Sequence, residues 1–148
     1  MSIKQTKTIL LGVIVLLTFL VFFQACEKPG SKNLVGTLVL PVNETKTVVH
    51  QGKSISITAS DFKESRCPIN VDCVWQGYAS VKITFKDDVK EQDLVLCLGA
   101  CTVVGVPLIE TVILNGTTYK IKLEEITPYP TQDKIKPAPS KAKITLSE

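Results

Sequence analysis

The sequence is poor in the residue types on which most catalytic sites depend. Its 148 residues include one His, one Trp and one Arg. His50, the single histidine, stands beside the Gln51-Gly52 turn, a position more typical of a solvated turn residue than of a base or ligand. No nucleophile motif accompanies it, so a Ser-His-Asp triad is not credible. Glycine-rich phosphate loops are also absent, and the sequence predicts neither an enzyme nor a cofactor.

Excess charge is lacking as well. The chain carries a net charge of +3, and two of its lysines, Lys4 and Lys7, precede a long apolar run. Without those two, 15 basic residues oppose 14 acidic ones. A chain with no basic field, and no Lys or Arg cluster interleaved with aromatic residues, is not typical of nucleic-acid binding. The sequence therefore predicts no nucleic-acid partner.

The long apolar run, residues 9–23, lies at the N-terminus. It is short for a membrane span, which needs about 20 residues, and it predicts the apolar region of a signal peptide. Residues 23–26, Phe-Gln-Ala-Cys, resemble the lipobox of bacterial lipoproteins. This resemblance implies cleavage after residue 25 and lipidation of Cys26. An uncleaved signal anchor is the alternative.

A lipidated Cys26 would hold the rest of the chain on a membrane surface outside the cytoplasm, because two or more acyl chains anchor a protein stably. Residues 27–33 contain Pro, Gly and Ser and no apolar side chain, which predicts a flexible tether. Glu27 stands where an Asp would imply inner-membrane retention in some bacteria, and this favours the outer membrane. The expected organisation is a signal peptide at 1–25, a tether at 26–33 and one domain at 34–148.

From Leu34 onward the sequence favours strands over helices. Val, Ile and Thr dominate, and turn signals recur about every 8–14 residues, as in all-β domains. The predicted strands are 34–40, 45–50, 54–66 with a bulge, 74–86, 92–98, 108–114, 117–126 and 141–147. Asn115-Gly116 favours a type I′ hairpin turn, whereas Asp87-Asp88 is typical of a solvated turn. We expect one all-β domain, either an antiparallel Greek-key, Ig-like sandwich or a small barrel.

Four cysteines remain if Cys26 is lipidated. An even number in an exported domain predicts disulfides. The local pairing, Cys67–Cys73 with Cys97–Cys101, is favoured because each bridge closes a short loop that contains turn residues. Crossed pairings stay open. The C-x5-C and C-x3-C spacings are not those of a zinc knuckle, but a thiol-redox or metal-handling role for the second pair remains the main alternative.

The densest motif runs from Glu64 to Gly77. Its Glu-Ser-Arg-Cys-Pro start, four intervening residues and Cys-Val-Trp-Gln-Gly end resemble a signature of small secreted or lipid-anchored bacterial proteins of unassigned function. Residues 127–130, Thr-Pro-Tyr-Pro, resemble the same group. The resemblance implies a β-rich exported domain and transfers no catalytic residue.

Each residue of this motif has a structural interpretation. Trp75 is predicted to pack on the Cys67–Cys73 bridge as a buried anchor, and an exposed, ligand-stacking Trp is the alternative. Arg66 is expected to bond backbone carbonyls or a carboxylate, either Glu64 or Asp72, and recognition of an anionic partner is the alternative. Pro68 helps to turn the loop, and Gly77 permits a close backbone approach.

These expectations favour a non-catalytic binding or assembly module at the cell envelope. Its partner, a protein or a small molecule, is not identified by the sequence. The proline-rich loop at 127–139 is one candidate face. Inhibition of a hydrolase by an exposed loop is a further alternative.

Overall fold

The computed structural model describes residues 34–50, 52–132 and 138–148. They form eight β-strands and one short 3-10 helix. The elements are β1 Gly36–Pro41, β2 Thr45–His50, β3 Lys53–Glu64, β4 Tyr78–Lys86, β5 Glu91–Gly99, the 3-10 helix Cys101–Val103, β6 Ile109–Leu114, β7 Thr117–Thr127 and β8 Lys141–Ser147. The all-β domain of about eight strands is confirmed. The signal peptide, the tether and Cys26 fall outside the described residues.

The strands build two antiparallel four-stranded sheets. One has the order β1-β8-β7-β6 and the other the order β2-β3-β4-β5. In both sheets, strands that are consecutive in the chain pair as hairpins, and β1 joins the first sheet beside β8. The sandwich is therefore confirmed, but its strand order is an up-and-down meander rather than the Greek key that was one of the expected arrangements.

The core lies between the two sheets and follows the alternation of the strands. Ile55, Ile57 and Ala59 of β3 are fully buried, and so are Ile121 and Leu123 of β7. Side chains at every second position point to one face of a strand, so one apolar series per strand suffices to fill the interior. Between the buried residues of β7, from Tyr119 to Ile126, the exposed ones are two lysines and two glutamates.

Strand β3 contains the predicted bulge. Its register with β4 shifts between Ser60 and Lys63, so the two strands resume pairing at Lys63↔Ser80. Asp61, inside the bulge, has a positive φ of 48°. Aspartate tolerates this left-handed conformation better than most residues. The bulge turns the end of β3 and changes the direction of the side chains that follow it.

Two turn residues differ from their predicted solvated state. The His50 ring meets Tyr119 of the opposite sheet edge-on, with ring centroids 5.8 Å apart. Asp87 is only 8% exposed. Backbone N–H groups of Asn115, Lys90 and Val89 donate to its carboxylate and hold the pKa of Asp87 below its ordinary value. Sequence patterns did not reveal either contact, because each one depends on a hairpin distant in the chain.

The registers define two ends of the sandwich. At one end lie the residues that close β3 and β5, together with Thr127 of β7, and both disulfides are found here. We call this the disulfide end. The other end, which we call the turn end, holds Gly52 before β3, the short turns at 87–90 and 115–116, and Gly36 at the start of β1.

Candidate functional site

The disulfide end is organised by the corner between β3 and β4. Cys67 and Cys73 are bridged, with their Cα atoms 6.0 Å apart. The two sides of the corner are joined by backbone hydrogen bonds from Ser65 N–H to the Tyr78 carbonyl and from Cys67 N–H to the Gln76 carbonyl, each 2.9 Å long. These bonds continue the pairing of β3 with β4 in irregular form. For that reason the predicted strand 74–86 begins only at Tyr78.

Gly77 is the point of closest backbone approach in this corner. Its φ is +66°, and a Cβ atom placed on it would lie 1.9 Å from the Ser65 carbonyl oxygen. The Gly77 carbonyl also accepts a 2.9 Å hydrogen bond from Ala100 N–H, in the second disulfide loop. Only glycine can meet both the positive φ and the contact, as the sequence predicted. Gly77 thus fixes the two disulfide loops against each other.

Arg66 fastens the corner to the opposite sheet. Its guanidinium pairs with the Glu64 carboxylate and donates a 2.9 Å hydrogen bond to the Ile126 carbonyl of β7. The ring of Tyr129 lies against the same guanidinium, 4.2 Å from its central carbon. The side chain is 9% exposed. The expected bonds to a carbonyl and to Glu64 are present, whereas the stacking on Tyr129 was not foreseen.

The prediction that Trp75 is a buried anchor is wrong. Trp75 is 54% exposed, and its neighbour Val74 is fully exposed. Because Gln76 and Tyr78 bond to the β3 side of the corner, and Cys73 is fixed by its bridge, the Val74–Trp75 bend projects outward instead of folding underneath. The contacts of the corner with the chain at 126–130 are made instead by Arg66, which donates to the Ile126 carbonyl, and by Ile69, whose N–H donates to the Pro130 carbonyl. A neighbouring disulfide therefore does not predict that a tryptophan is buried when the disulfide loop itself is exposed.

The second disulfide loop lies beside the first. Cys97 and Cys101 are bridged, which confirms the local pairing of all four cysteines. Cys97 is fully buried, and its N–H donates to the Pro107 carbonyl at 2.9 Å, so the loop is folded back along β5. This burial gives no support to thiol exchange at Cys97, which needs an accessible thiolate. Among the described residues, no three His, Cys, Asp or Glu side chains are grouped so as to hold a metal ion.

The disulfide end exposes apolar side chains in stretches without charge. Residues 73–81 and 99–109 contain no Asp, Glu, Lys or Arg. The apolar side chains exposed at this end are Ile69, Val74, Trp75, Val103, Val104, Leu108, Ile109 and Tyr129. At the turn end, by contrast, the 86–91 hairpin alone carries five charged residues. Clustered apolar exposure of this kind marks interaction surfaces on soluble domains.

Comparison with protein-family models, with characterised proteins and with solved structures gives no match for this chain. Within the described part of the chain, no helix is long and apolar enough to cross a membrane.

Proposed function

We propose that the protein is a lipid-anchored cell-envelope protein whose β-sandwich binds a partner through the disulfide end, without catalysis. The observation that carries this proposal is the exposure of Trp75 on a corner that is held by a disulfide and by backbone hydrogen bonds. A large aromatic side chain left in solvent loses the stabilisation that burial would give. A binding role explains why a rigid loop presents it outward.

The composition of the surface supports a protein partner. Trp, Tyr and Arg are the residue types most enriched in the energetically dominant parts of interfaces, and charged residues are depleted in interface centres. Trp75 and Tyr129 are both about half exposed at this end, with the Arg66 guanidinium against the Tyr129 ring, and the stretches 73–81 and 99–109 carry no charge. The corner is also held in place before binding by the Cys67–Cys73 bridge and by the Arg66–Glu64 pair. Such preorganisation lowers the entropic cost of association.

Two further features support an extracytoplasmic location and an anchor. Stable disulfides are typical of oxidising compartments, and two are formed. The predicted lipidation at Cys26 would place the tether before β1, which starts at the turn end. The 12 residues of β3 span about 40 Å at 3.3 Å per residue. The tether would then join the domain at the end opposite the disulfide end.

Recovery of partners from crosslinked envelopes tests the binding proposal. Wild type and Val89→Ala, which changes an exposed valine at the turn end, should recover the same partner. Trp75→Ala should recover much less of it at equal protein abundance. Equal recovery by all three proteins would contradict the proposal. Palmitate labelling tests the anchor separately, because Cys26→Ala should abolish incorporation, and unchanged labelling would refute lipidation.

A further inference from the structure

An open cleft lies on the outer face of the β2-β3-β4-β5 sheet, next to the disulfide end. Its volume is about 540 Å³, within the range of about 300–1,000 Å³ that is usual for small-molecule sites. Tyr78, Lys82 and Val95 form its floor on β4 and β5. The β3 bulge forms one wall, and residues 104–106 form the other.

The cleft has an apolar lining in a place where the sheet would ordinarily show polar side chains to water. Val95 is 44% exposed and Val104 is 38% exposed. Phe62 lines the cleft from the bulge while packing partly against the core. The Cys97–Cys101 bridge and the hydrogen bond from Cys97 N–H to the Pro107 carbonyl hold the 104–106 wall on the sheet. The apolar part of a ligand would therefore find a built surface.

The charges in the lining favour an anion. Lys82 lies between two carboxylates, with its Nζ 3.2 Å from Asp61 and 3.9 Å from Asp93. The hydrogen bond to Asp61, followed by the attraction of both carboxylates, raises the pKa of Lys82 and keeps it charged. Lys63, at the end of the bulge, makes no ion pair with any described residue. Of the two basic residues in the lining, Lys82 is paired with carboxylates and Lys63 is not, so Lys63 is the group that can pair with an anionic ligand.

The bulge itself is a second sign of a site. Asp61 occupies a left-handed conformation, which most residues avoid, and this conformation lets its carboxylate reach Lys82. Bulges and residues with positive φ are over-represented next to binding and active sites, where they aim particular side chains. Here Asp61 of the bulge balances the charge of Lys82, and Lys63 remains available to pair with a ligand.

We infer that this cleft binds a small organic carboxylate with an apolar body. The carboxylate lies at Lys63, and the apolar body packs on Phe62, Val95 and Val104. The cleft shares Val104 with the exposed apolar residues of the disulfide end but does not include the Val74–Trp75 bend, so substitutions at Lys63 and at Trp75 test the two sites separately.

The test uses three probes with one apolar body and different head charges: 4-phenylbutyrate, 4-phenylbutanol and 4-phenylbutylamine. Isothermal titration calorimetry measures their binding to the full protein in lipid nanodiscs, with empty nanodiscs as the blank. Saturable binding in the order carboxylate, alcohol, amine is expected. Val95→Ser should weaken the carboxylate and the alcohol alike, because it removes a contact with the shared apolar body.

A charge reversal on β3 provides the sharpest comparison. Lys63→Glu should weaken 4-phenylbutyrate binding about fivefold, from the loss of one exposed ion pair and the gain of a repulsion, and should improve binding of the amine. Lys53→Glu, on the same strand but at the turn end, should change neither by more than about twofold. Thermal unfolding verifies that both variants are folded. Absence of saturable 4-phenylbutyrate binding at millimolar concentration, or equal effects of the two substitutions, would overturn the inference.

Discussion

Replacing Gly77 by alanine tests whether the close approach at the β3–β4 corner holds the disulfide end together. The added Cβ atom would lie 1.9 Å from the Ser65 carbonyl oxygen and 2.7 Å from its carbonyl carbon. Both are backbone atoms and cannot rotate away, so the corner has to open. Opening it would strain the bonds of Ser65 to Tyr78 and of Ala100 to Gly77.

Gly105 provides the matched control. Its φ of +64° is nearly that of Gly77, at +66°, but a Cβ atom there would meet nothing within 4 Å. Each alanine should cost about 1–2 kcal/mol for its left-handed conformation. Each also gains a few tenths to about 1 kcal/mol from a less flexible unfolded chain, and this gain is the same at both positions. The clash adds about 1–3 kcal/mol, as in overpacked cores, at Gly77 alone.

Urea unfolding followed by circular dichroism measures the two free energies of unfolding. Gly77→Ala should lose at least about 1 kcal/mol more than Gly105→Ala. Losses that agree within about 0.5 kcal/mol would show that the corner accommodates a side chain freely. The close approach would then not be what fixes the two disulfide loops against each other.

Three other substitutions test separate parts of the account. Trp75→Ala should lower the free energy of unfolding by less than about 1 kcal/mol, because the side chain is half exposed. A loss of about 3–5 kcal/mol in chemical denaturation would instead show that Trp75 is a buried anchor. Arg66→Met should cost about 2–3 kcal/mol, because the Ile126 carbonyl loses its side-chain donor and the Glu64 carboxylate keeps only the hydrogen bond from the N–H of residue 66. Adding Glu64→Gln should recover part of this loss in a double-mutant cycle. The pKa of Asp87 is lowered in the folded state, so its contribution to stability is complete above its ordinary value of 3.8 and is lost as the pH falls through the folded value. Asp87→Asn should therefore flatten the acid limb of stability against pH, whereas Asp88→Asn, at the exposed neighbour, should leave that limb unchanged.

The strands could be predicted because their alternation is local. The predicted bounds of β2 and β8 agree with the structure, and those of most other strands differ by one or two residues. A strand with apolar residues at every second position, such as Ile55, Ile57 and Ala59, can be predicted without knowing its partner strands, because the pattern follows from its one buried face. The order of the strands in the sheets could not be predicted in this way, because the same local pattern occurs in meanders and in Greek keys.

The candidate site was only partly predictable. The disulfides and the role of Gly77 follow from short sequence distances and from the special conformation of glycine. The exposure of Trp75 does not, because it depends on long-range contacts of the corner, in which Arg66 bonds to the Ile126 carbonyl and lies against the Tyr129 ring. Tyr129 lies more than 60 residues from Arg66, and the only sign of it in the sequence was the Thr-Pro-Tyr-Pro segment that resembles the same group of proteins. The cleft at Lys63 could not be predicted from a sequence motif, because its lining comes from the β3 bulge, two further strands and a loop.

The central claim is that the disulfide end binds the partner. A photoreactive amino acid at position 74, which is fully exposed at that end, tests it most directly when compared with one at position 89, which is 80% exposed at the turn end. In intact cells, position 74 should give a crosslinked adduct of defined mass, and Trp75→Ala should reduce its yield. An adduct from position 89 alone, or equal yields from both positions, would contradict the account.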